Sequence, residues 1–339
     1  MAGSNTNRKL AKAKAAKFDE FFTRRQDIEA ELRFYRDEFR GKTVYCNCDD
    51  PRESEFVQYF CRNFEDLGLR KLIATHYDPD ESNYSYTLQL SGDSNGDGEI
   101  SVDDLVEHEL TCNGDFRSRE CMELLDESDI VVTNPPFSLF REYIQQLIDH
   151  DKKFLIIGNI TACTASEVFP HIRDGRMWLG RSIHSGGMWM RLPPGAPVES
   201  KNPKQESGYT IVNVAGVRWF TNLKSVEHQG GLSLEGCYYD PARHPSYFNF
   251  DGIDIASIND IPCDYKGLMG VPLPFYDHYD SAQFEIIGFG QGDLAKEIGV
   301  KRNHTGRTKL AFYDDDGNAK EAFSRTVVRL KHPQPRKDA

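Results

Sequence analysis

Two oxygens and an aromatic face are enough to hold a planar amino group, and one stretch of this 339-residue chain sets them in order. Asp129-Ile130-Val131-Val132-Thr133 is a β-branched run of the kind that forms a buried parallel strand. Two prolines follow, Pro135 and Pro136, which donate nothing to a ladder and push the preceding residue away from helical geometry. The strand therefore ends in a rigid turn, with Asn134 at its carboxyl tip and Phe137 just beyond. In open α/β sheets that edge is where ligands bind. The Asn134 side-chain carbonyl and the Pro135 backbone carbonyl are both acceptors, suited to the two hydrogens of an N–H₂ group. Phe137 offers a face on which a flat base stacks. An aromatic amine is a poor nucleophile because its lone pair is delocalised into the ring. Two acceptors set off the ring plane draw the nitrogen toward tetrahedral geometry and localise that pair. A Pro-Pro turn after a core strand, with an exposed Phe, would use the same residues without this chemistry.

The elements that must position this tip are those of an α/β sheet. Residues 7–39 read as helix-rich, with few breakers. A strand is expected at 42–46, followed by the turn Asn47-Cys48-Asp49-Asp50-Pro51, a helix over 54–67 closed by Gly68, and a second strand at 72–75. That strand–helix–strand is a right-handed βαβ unit whose first loop suits a nucleotide-like cofactor. The usual glycine-rich fingerprint is absent from the turn. Further helices are expected at 118–125 and 140–148, and a buried strand at 153–157. The blocks 177–179, 188–190 and 214–220 read as final antiparallel strands of the same sheet. The stretch 193–208 reads as a surface loop. Beyond 223–231 the chain turns to short strands with many Tyr and Pro, which marks a second, smaller domain with a last hairpin near 314–317.

Residues 84–90 alternate like an exposed strand, and the loop from Asp93 to Asp104 then carries Asp or Asn at positions one, three and five, Gly at six and Asp at twelve. That is the spacing of a calcium loop. A turn rich in Asp and Gly that leads into a helix near Val102 would look the same. No metal is assigned. Asp115, in a loop one sheet position from Asn134, is placed to accept from an adenine amino group of a cofactor, or is an ordinary loop acid.

The totals bound the class. The formal net charge of −12 counts against a non-specific nucleic-acid coat but not against a specific enzyme with its basic groups gathered on one face. Basic groups cluster at Arg8, Lys9, Lys12, Lys14 and Lys17 and again at Lys301, Arg302, Arg307 and Lys309. No run approaches a membrane span and no signal peptide is read. The eight cysteines lack paired zinc-ribbon spacing, so reduced thiols in a cytoplasmic protein are expected.

Asn134-Pro135-Pro136-Phe137 resembles the signature of amino-group methyltransferases that use S-adenosylmethionine. The same signature serves enzymes that act on glutamine amides or RNA bases. Longer blocks resemble the EcoRI-type family of adenine-specific DNA methyltransferases: Asn5 to Lys14, Phe18-Asp19-Glu20-Phe21-Phe22-Thr23, Val44 to Pro51, Gly114-Asp115-Phe116, Val132 to Ser138, Arg218 to Asn222, Asp264 to Pro272 and Gln283 to Gly288. The resemblance implies a class I S-adenosylmethionine methyltransferase, a Rossmann-like doubly wound sheet within 1–225 that includes an N-terminal helical arm. A target-recognition region and tail would occupy 226–339. It implies that Cys46, Asn47, Cys48 and Asp49 lie along the methionine end of the cofactor, closed over by Phe22 and Thr23. Asp115 and Phe116 would flank the cofactor's adenine, and Asp78 is the nearest acid for its ribose. Duplex DNA is the implied partner, with a restriction endonuclease of the same system that forms no stable complex. Two other readings stay open: an acceptor that is RNA or a protein amide, and a DNA-binding relative without transfer.

Overall fold

The computed structural model describes residues 21–48, 50–78, 85–193, 195–198, 202–224 and 231–334. Residues 7–20 of the expected helical arm, the first basic cluster and Asp49 lie outside the described residues. The described residues fall into two compact units, one within 1–159 and 179–227 and the other within 160–178 and 228–339.

The first unit is built on strands whose β-branched and aliphatic side chains are buried on both faces, the pattern that parallel pairing between helical layers requires. These are β1 (Thr43–Cys46), β2 (Lys71–Thr75), β5 (Ile130–Thr133) and β6 (Lys153–Asn159), with β3 (Tyr86–Leu90), β4 (Val106–Glu109), β7 (Trp178–Leu179) and β11 (Val217–Thr221) completing the sheet. Among the described residues its order is β4-β3-β2-β1-β5-β6-β11-β7. β1 pairs in parallel with both β2 and β5, and β5 with β6, whereas β3 runs antiparallel to β2 and β4, and β11 antiparallel to β6. The chain leaves β1 for β2 on one side and later crosses to β5 on the other. The tips of β1 and β5 therefore flank the point where the connections diverge, as a doubly wound sheet demands.

Helices cover the faces. α1 (Arg25–Leu32) packs on α2 (Glu55–Arg62), which Ser54 caps by accepting from the Phe56 amide. The single helix expected over 54–67 is broken at Asn63, and a further turn, α3 (Phe64–Leu67), ends at Gly68 in left-handed geometry. α4 (Arg119–Glu127) starts from the Ser118 cap. α5 (Phe140–Asp149) places Phe140, Tyr143, Ile144 and Leu147 on one buried stripe. Glu31 of α1 is fully buried, yet it accepts from the Arg181 and Ser182 amides at 2.8 and 2.7 Å and from the Tyr35 hydroxyl at 3.0 Å. A buried carboxylate so supplied with donors ties α1 to the loop after β7.

Two expectations are corrected. The helix expected near Val102 is only a single 3₁₀ turn, Val102–Asp104, held by a Ser101–Asp104 capping box, after which the chain continues as β4 beside β3. The stretch around Met188 does not join the main sheet. β8 (Gly187–Arg191), β9 (Lys204–Glu206) and β10 (Tyr209–Ala215) form their own antiparallel sheet, so part of the expected 193–208 loop is strand. Residues 160–178, including α6 (Phe169–Arg173), belong to the second unit.

The second unit holds a sheet in the order β12-β13-β17-β14, from β12 (Ile253–Asp254), β13 (Leu268–Pro272), β14 (Phe284–Phe289) and β17 (Arg325–Leu330). α7 (Gly292–Glu297) follows β14, and β15 (Ala311–Tyr313) with β16 (Ala319–Glu321) makes the hairpin expected around Asp314 to Gly317. Arg325 and Asp254 form a buried pair at 2.9 Å that the Tyr247 hydroxyl joins at 2.7 Å.

Candidate active site

Asn134 sits where the strand run stops, at the tip of β5, and is 7 % exposed. Its amide nitrogen donates to the Phe21 carbonyl. Its Oδ1 is buried without a hydrogen-bond donor among the described residues. Burying an acceptor unpaired costs about 1–3 kcal/mol, so an Oδ1 left open at a strand tip is available to a ligand's donor. Pro135 is buried, and the Pro136 carbonyl accepts from the Leu139 amide at 3.0 Å. Phe137 is half-buried and opens a short 3₁₀ turn that runs into α5.

The β1 tip is tied to this one directly. The Cys48 amide donates to the Thr133 hydroxyl at 3.2 Å. Asn47 is buried, and its Oδ1 accepts from the Tyr143 hydroxyl at 2.6 Å, with the Cys48 thiol at 3.5 Å. The Cys46 thiol belongs to the core. Burial pushes the Tyr143 hydroxyl well above its ordinary pKa, so it remains a donor to Asn47.

Phe22 and Thr23 approach from the N-terminal side. Phe22 and Arg191 of β8 exchange two backbone hydrogen bonds, each 2.9 Å. The Arg191 guanidinium lies 4.7 Å from the Phe22 ring centroid and 4.0 Å from that of Tyr209, and it pairs with Glu53 at 3.0 Å. Thr23 is 4 % exposed and its hydroxyl has no partner among the described residues. Phe22 and Thr23 line a cavity of about 330 Å³ with Arg24, Glu53, Arg191 and Tyr209.

On the β2 side, the Asp78 amide donates to the Asn113 carbonyl at 2.9 Å, which brings Asp78 beside the Gly114-Asp115-Phe116 loop. Gly114 has φ +78°, and a Cβ there would stand 1.9 Å from the His76 carbonyl oxygen, so only glycine fits. Arg117 grips Asp115 through Nε at 2.8 Å and Nη2 at 2.6 Å, and this holds the Asp115 carboxyl below the usual range despite partial burial. Phe116 packs edge-on against Tyr143 at 5.1 Å, and its carbonyl accepts from Gln146 at 2.9 Å.

The described candidates from the sequence thus gather along one edge of one sheet, with Asn134 to Phe137, Cys46 to Cys48 and the Asp78 and Asp115 loops on neighbouring strand ends. Phe21, Thr133, Tyr143, Arg117 and Arg191 were not singled out. Tyr143 left a signal, a hydroxyl on an apolar stripe that must find a partner; Phe21, Thr133 and Arg191 act across 85 to 138 positions of sequence, and Arg117, two positions from Asp115, reads in sequence as an ordinary surface base. The calcium-like loop turns its oxygens on itself. Asp93 accepts from the Gly96 and Gly98 amides, and Asp104 from those of Ser94, Asn95 and Ser101.

Comparison with known proteins identifies the family. The family model described as adenine-specific methyltransferase EcoRI matches residues 9–331. The type II methyltransferase M.EcoRI of Escherichia coli is 41 % identical over 309 residues, 88 % of this chain and 94 % of that protein. The type II methyltransferase M.MgeORF184P of Mycoplasma genitalium is 36 % identical over 283 residues, covering 81 % and 84 %. The type II methyltransferase M.MpnI of Mycoplasma pneumoniae is 34 % identical over 329 residues, covering 94 % and 97 %. No solved structure matches. With a doubly wound, mostly parallel sheet of class I methyltransferase type and a match over nearly its whole length, the chain belongs to the EcoRI family of adenine-specific methyltransferases.

Proposed function

We propose that the chain is a site-specific DNA methyltransferase that moves a methyl group from S-adenosylmethionine to N6 of an adenine extruded from duplex DNA. The observation that carries this reading is the buried Oδ1 of Asn134, an acceptor with no donor among the described residues, beside the half-buried ring of Phe137. The type II designation of the three relatives supports a chain that acts beside a restriction endonuclease of the same system.

The residues present fit the methyl donor. Thr23 brings to the cavity it lines with Phe22 a buried hydroxyl without a partner among the described residues. In this reading Phe22, Thr23, Asn47, Cys48 and Asp49 hold the methionine end, and Cys46 contributes through its backbone because its thiol is in the core. Asp78 takes a ribose hydroxyl, Asp115 the adenine amino group and Phe116 the adenine ring. Asp115 Oδ1 already accepts from the Arg117 amide and Nε, so the acceptor capacity left for the adenine amino group is on Oδ2 beside its bond to Arg117 Nη2, and the depressed pKa keeps the carboxyl ionised. When bound, S-adenosylmethionine supplies a methyl group made electrophilic by a positively charged sulfur.

Asn134 Oδ1 and the Pro135 carbonyl then take the two N6 hydrogens and localise the lone pair. The Pro136 carbonyl is already engaged by Leu139, which leaves the second acceptor to Pro135. Their contribution is position and oriented dipoles. No strong base is required, because the methylated amine is acidic enough to lose its proton to solvent. Stacking on Phe137 offsets part of the few kcal/mol that extrusion costs.

The test is transfer of labelled methyl to duplex DNA by wild type and Asn134→Ala. We expect N6-methyladenine from the first and a loss of at least about 10²-fold in kcat from the second, with its melting temperature kept. Full transfer by Asn134→Ala would remove the role given to that side chain, and preferred transfer to RNA or glutamine peptides would replace the substrate.

A further inference from the structure

Phe21 precedes the Phe22-Thr23 pair and touches both halves of the β5 tip. Its carbonyl accepts the Asn134 amide nitrogen, which fixes the orientation of that amide and leaves Oδ1 as the atom turned to another donor. Its ring faces the Phe137 ring, with centroids 6.2 Å apart and planes inclined by 34°. Both rings are half-buried, resting on the core of the first unit without being enclosed by it.

The separation decides what the pair suits. A flat base held between two rings needs about 7 Å between them, twice the carbon–carbon optimum of ~3.5 Å. The observed 6.2 Å is short of that by only about 0.8 Å, a shift within reach of the Phe137 ring at the start of its turn. The other jaw has firm backing. Phe22 is bonded in both directions to the Arg191 backbone, and the Arg191 side chain is held by two rings and Glu53.

We propose that Phe21 is the second wall of the acceptor site, so that a purine is gripped between Phe21 and Phe137 while Asn134 Oδ1 receives its amino group. The inference rests on the adenine reading above and sharpens it. A two-sided aromatic clamp rewards a flat base and gives a peptide carboxamide little, so Phe21 selects the class of acceptor as well as binding it. The Phe21 carbonyl survives every side-chain substitution, so variants report on the ring alone.

The experiment compares full-length wild type, Phe21→Tyr, Phe21→Leu and Asn134→Ala on a duplex carrying the sequence that wild type methylates, with 2-aminopurine in place of the target adenine for fluorescence. Leucine preserves the apolar packing, and melting temperatures check the fold. Expected is a drop of about 5- to 150-fold in kcat/KM for DNA in Phe21→Leu with KM for S-adenosylmethionine unchanged. Phe21→Tyr should be rescued toward wild type. The 2-aminopurine emission should be brighter in the Phe21→Leu complex, where one quenching ring is gone, and unchanged in Asn134→Ala, where both rings remain. A folded Phe21→Leu with wild-type kcat/KM and wild-type emission would overturn the clamp while leaving the adenine reading intact. A wild type that methylates no adenine would overturn both.

Discussion

The Cys48 amide donates to the Thr133 hydroxyl at 3.2 Å, joining the tip of β1 to the tip of β5 across the point where the sheet's connections diverge. Two stretches 85 positions apart thereby become one rim. Thr133→Val keeps the volume and the β-branch but strips the acceptor. An unsatisfied, partly buried donor costs about 1 kcal/mol or slightly more. We expect a urea midpoint lowered by a matching amount and weaker S-adenosylmethionine binding by calorimetry. Unchanged affinity would place the Cys48 turn outside the donor site.

Gly114→Ala places a methyl 1.9 Å from the His76 carbonyl at φ +78°. Backbone must yield on one side or the other, so the cost should exceed the ~1 kcal/mol of a simple left-handed penalty. The melting temperature should fall by at least about 2 °C, and donor affinity should fall with it because Asp115 is the next residue. A variant that melts like wild type would show that this loop has room it does not display.

Arg117→Gln releases Asp115. In wild type the Arg117 hydrogen bonds hold the carboxyl below its ordinary value, so Asp115 stays ionised down to below about pH 4. Without Arg117 the acid limb of the donor-binding pH profile should move up toward the ordinary carboxylate value near ~3.9. Affinity at pH 7 should change less than affinity at pH 4. A profile that does not move would separate Asp115 from donor binding.

Glu321 concerns the second unit alone. Thr305 and Asn303 donate to it at 2.6 and 3.0 Å and bring its pKa down to about 2. A carboxyl depressed on folding contributes stability that is full above its unfolded value near ~4.3 and is lost as pH falls through the folded one. Wild type should therefore lose melting temperature between about pH 4.5 and pH 2 more steeply than Glu321→Gln. Parallel curves would mean that the carboxylate is not held this way in solution.

Much of the sheet edge around Asn134 was legible because it is written locally. Asp129 to Phe137 announces a strand, its end and two acceptors within nine positions, and β1, α4 and α5 follow from their own caps and stripes. What was hidden depends on contacts that no window spans. The Phe21 carbonyl finds Asn134 across 113 positions. The strand around Met188 was recognisable as a strand, but its partner is set by β10 pairing and not by apolar character. Val102 to Asp104 looked like a helix start because Ser101 caps it; β3 then offers an open edge that captures the next residues as β4. At 160–178 the short apolar blocks look alike whichever core they enter, so their place in the second unit is not written in the local sequence.

That last stretch has a consequence for how such a chain can change. Its residues leave the catalytic unit after 159 and return after 178, and in between Val168, Phe169 and Ile172 are buried, with the Phe169 ring 5.9 Å from that of Phe289. The second unit is therefore not a tail that could be cut off near 224 or traded wholesale for another. Deleting it would strand an apolar loop in the middle of the enzyme, and grafting a foreign one would require rewriting two separate stretches together. Change in that unit should proceed by substitution in place.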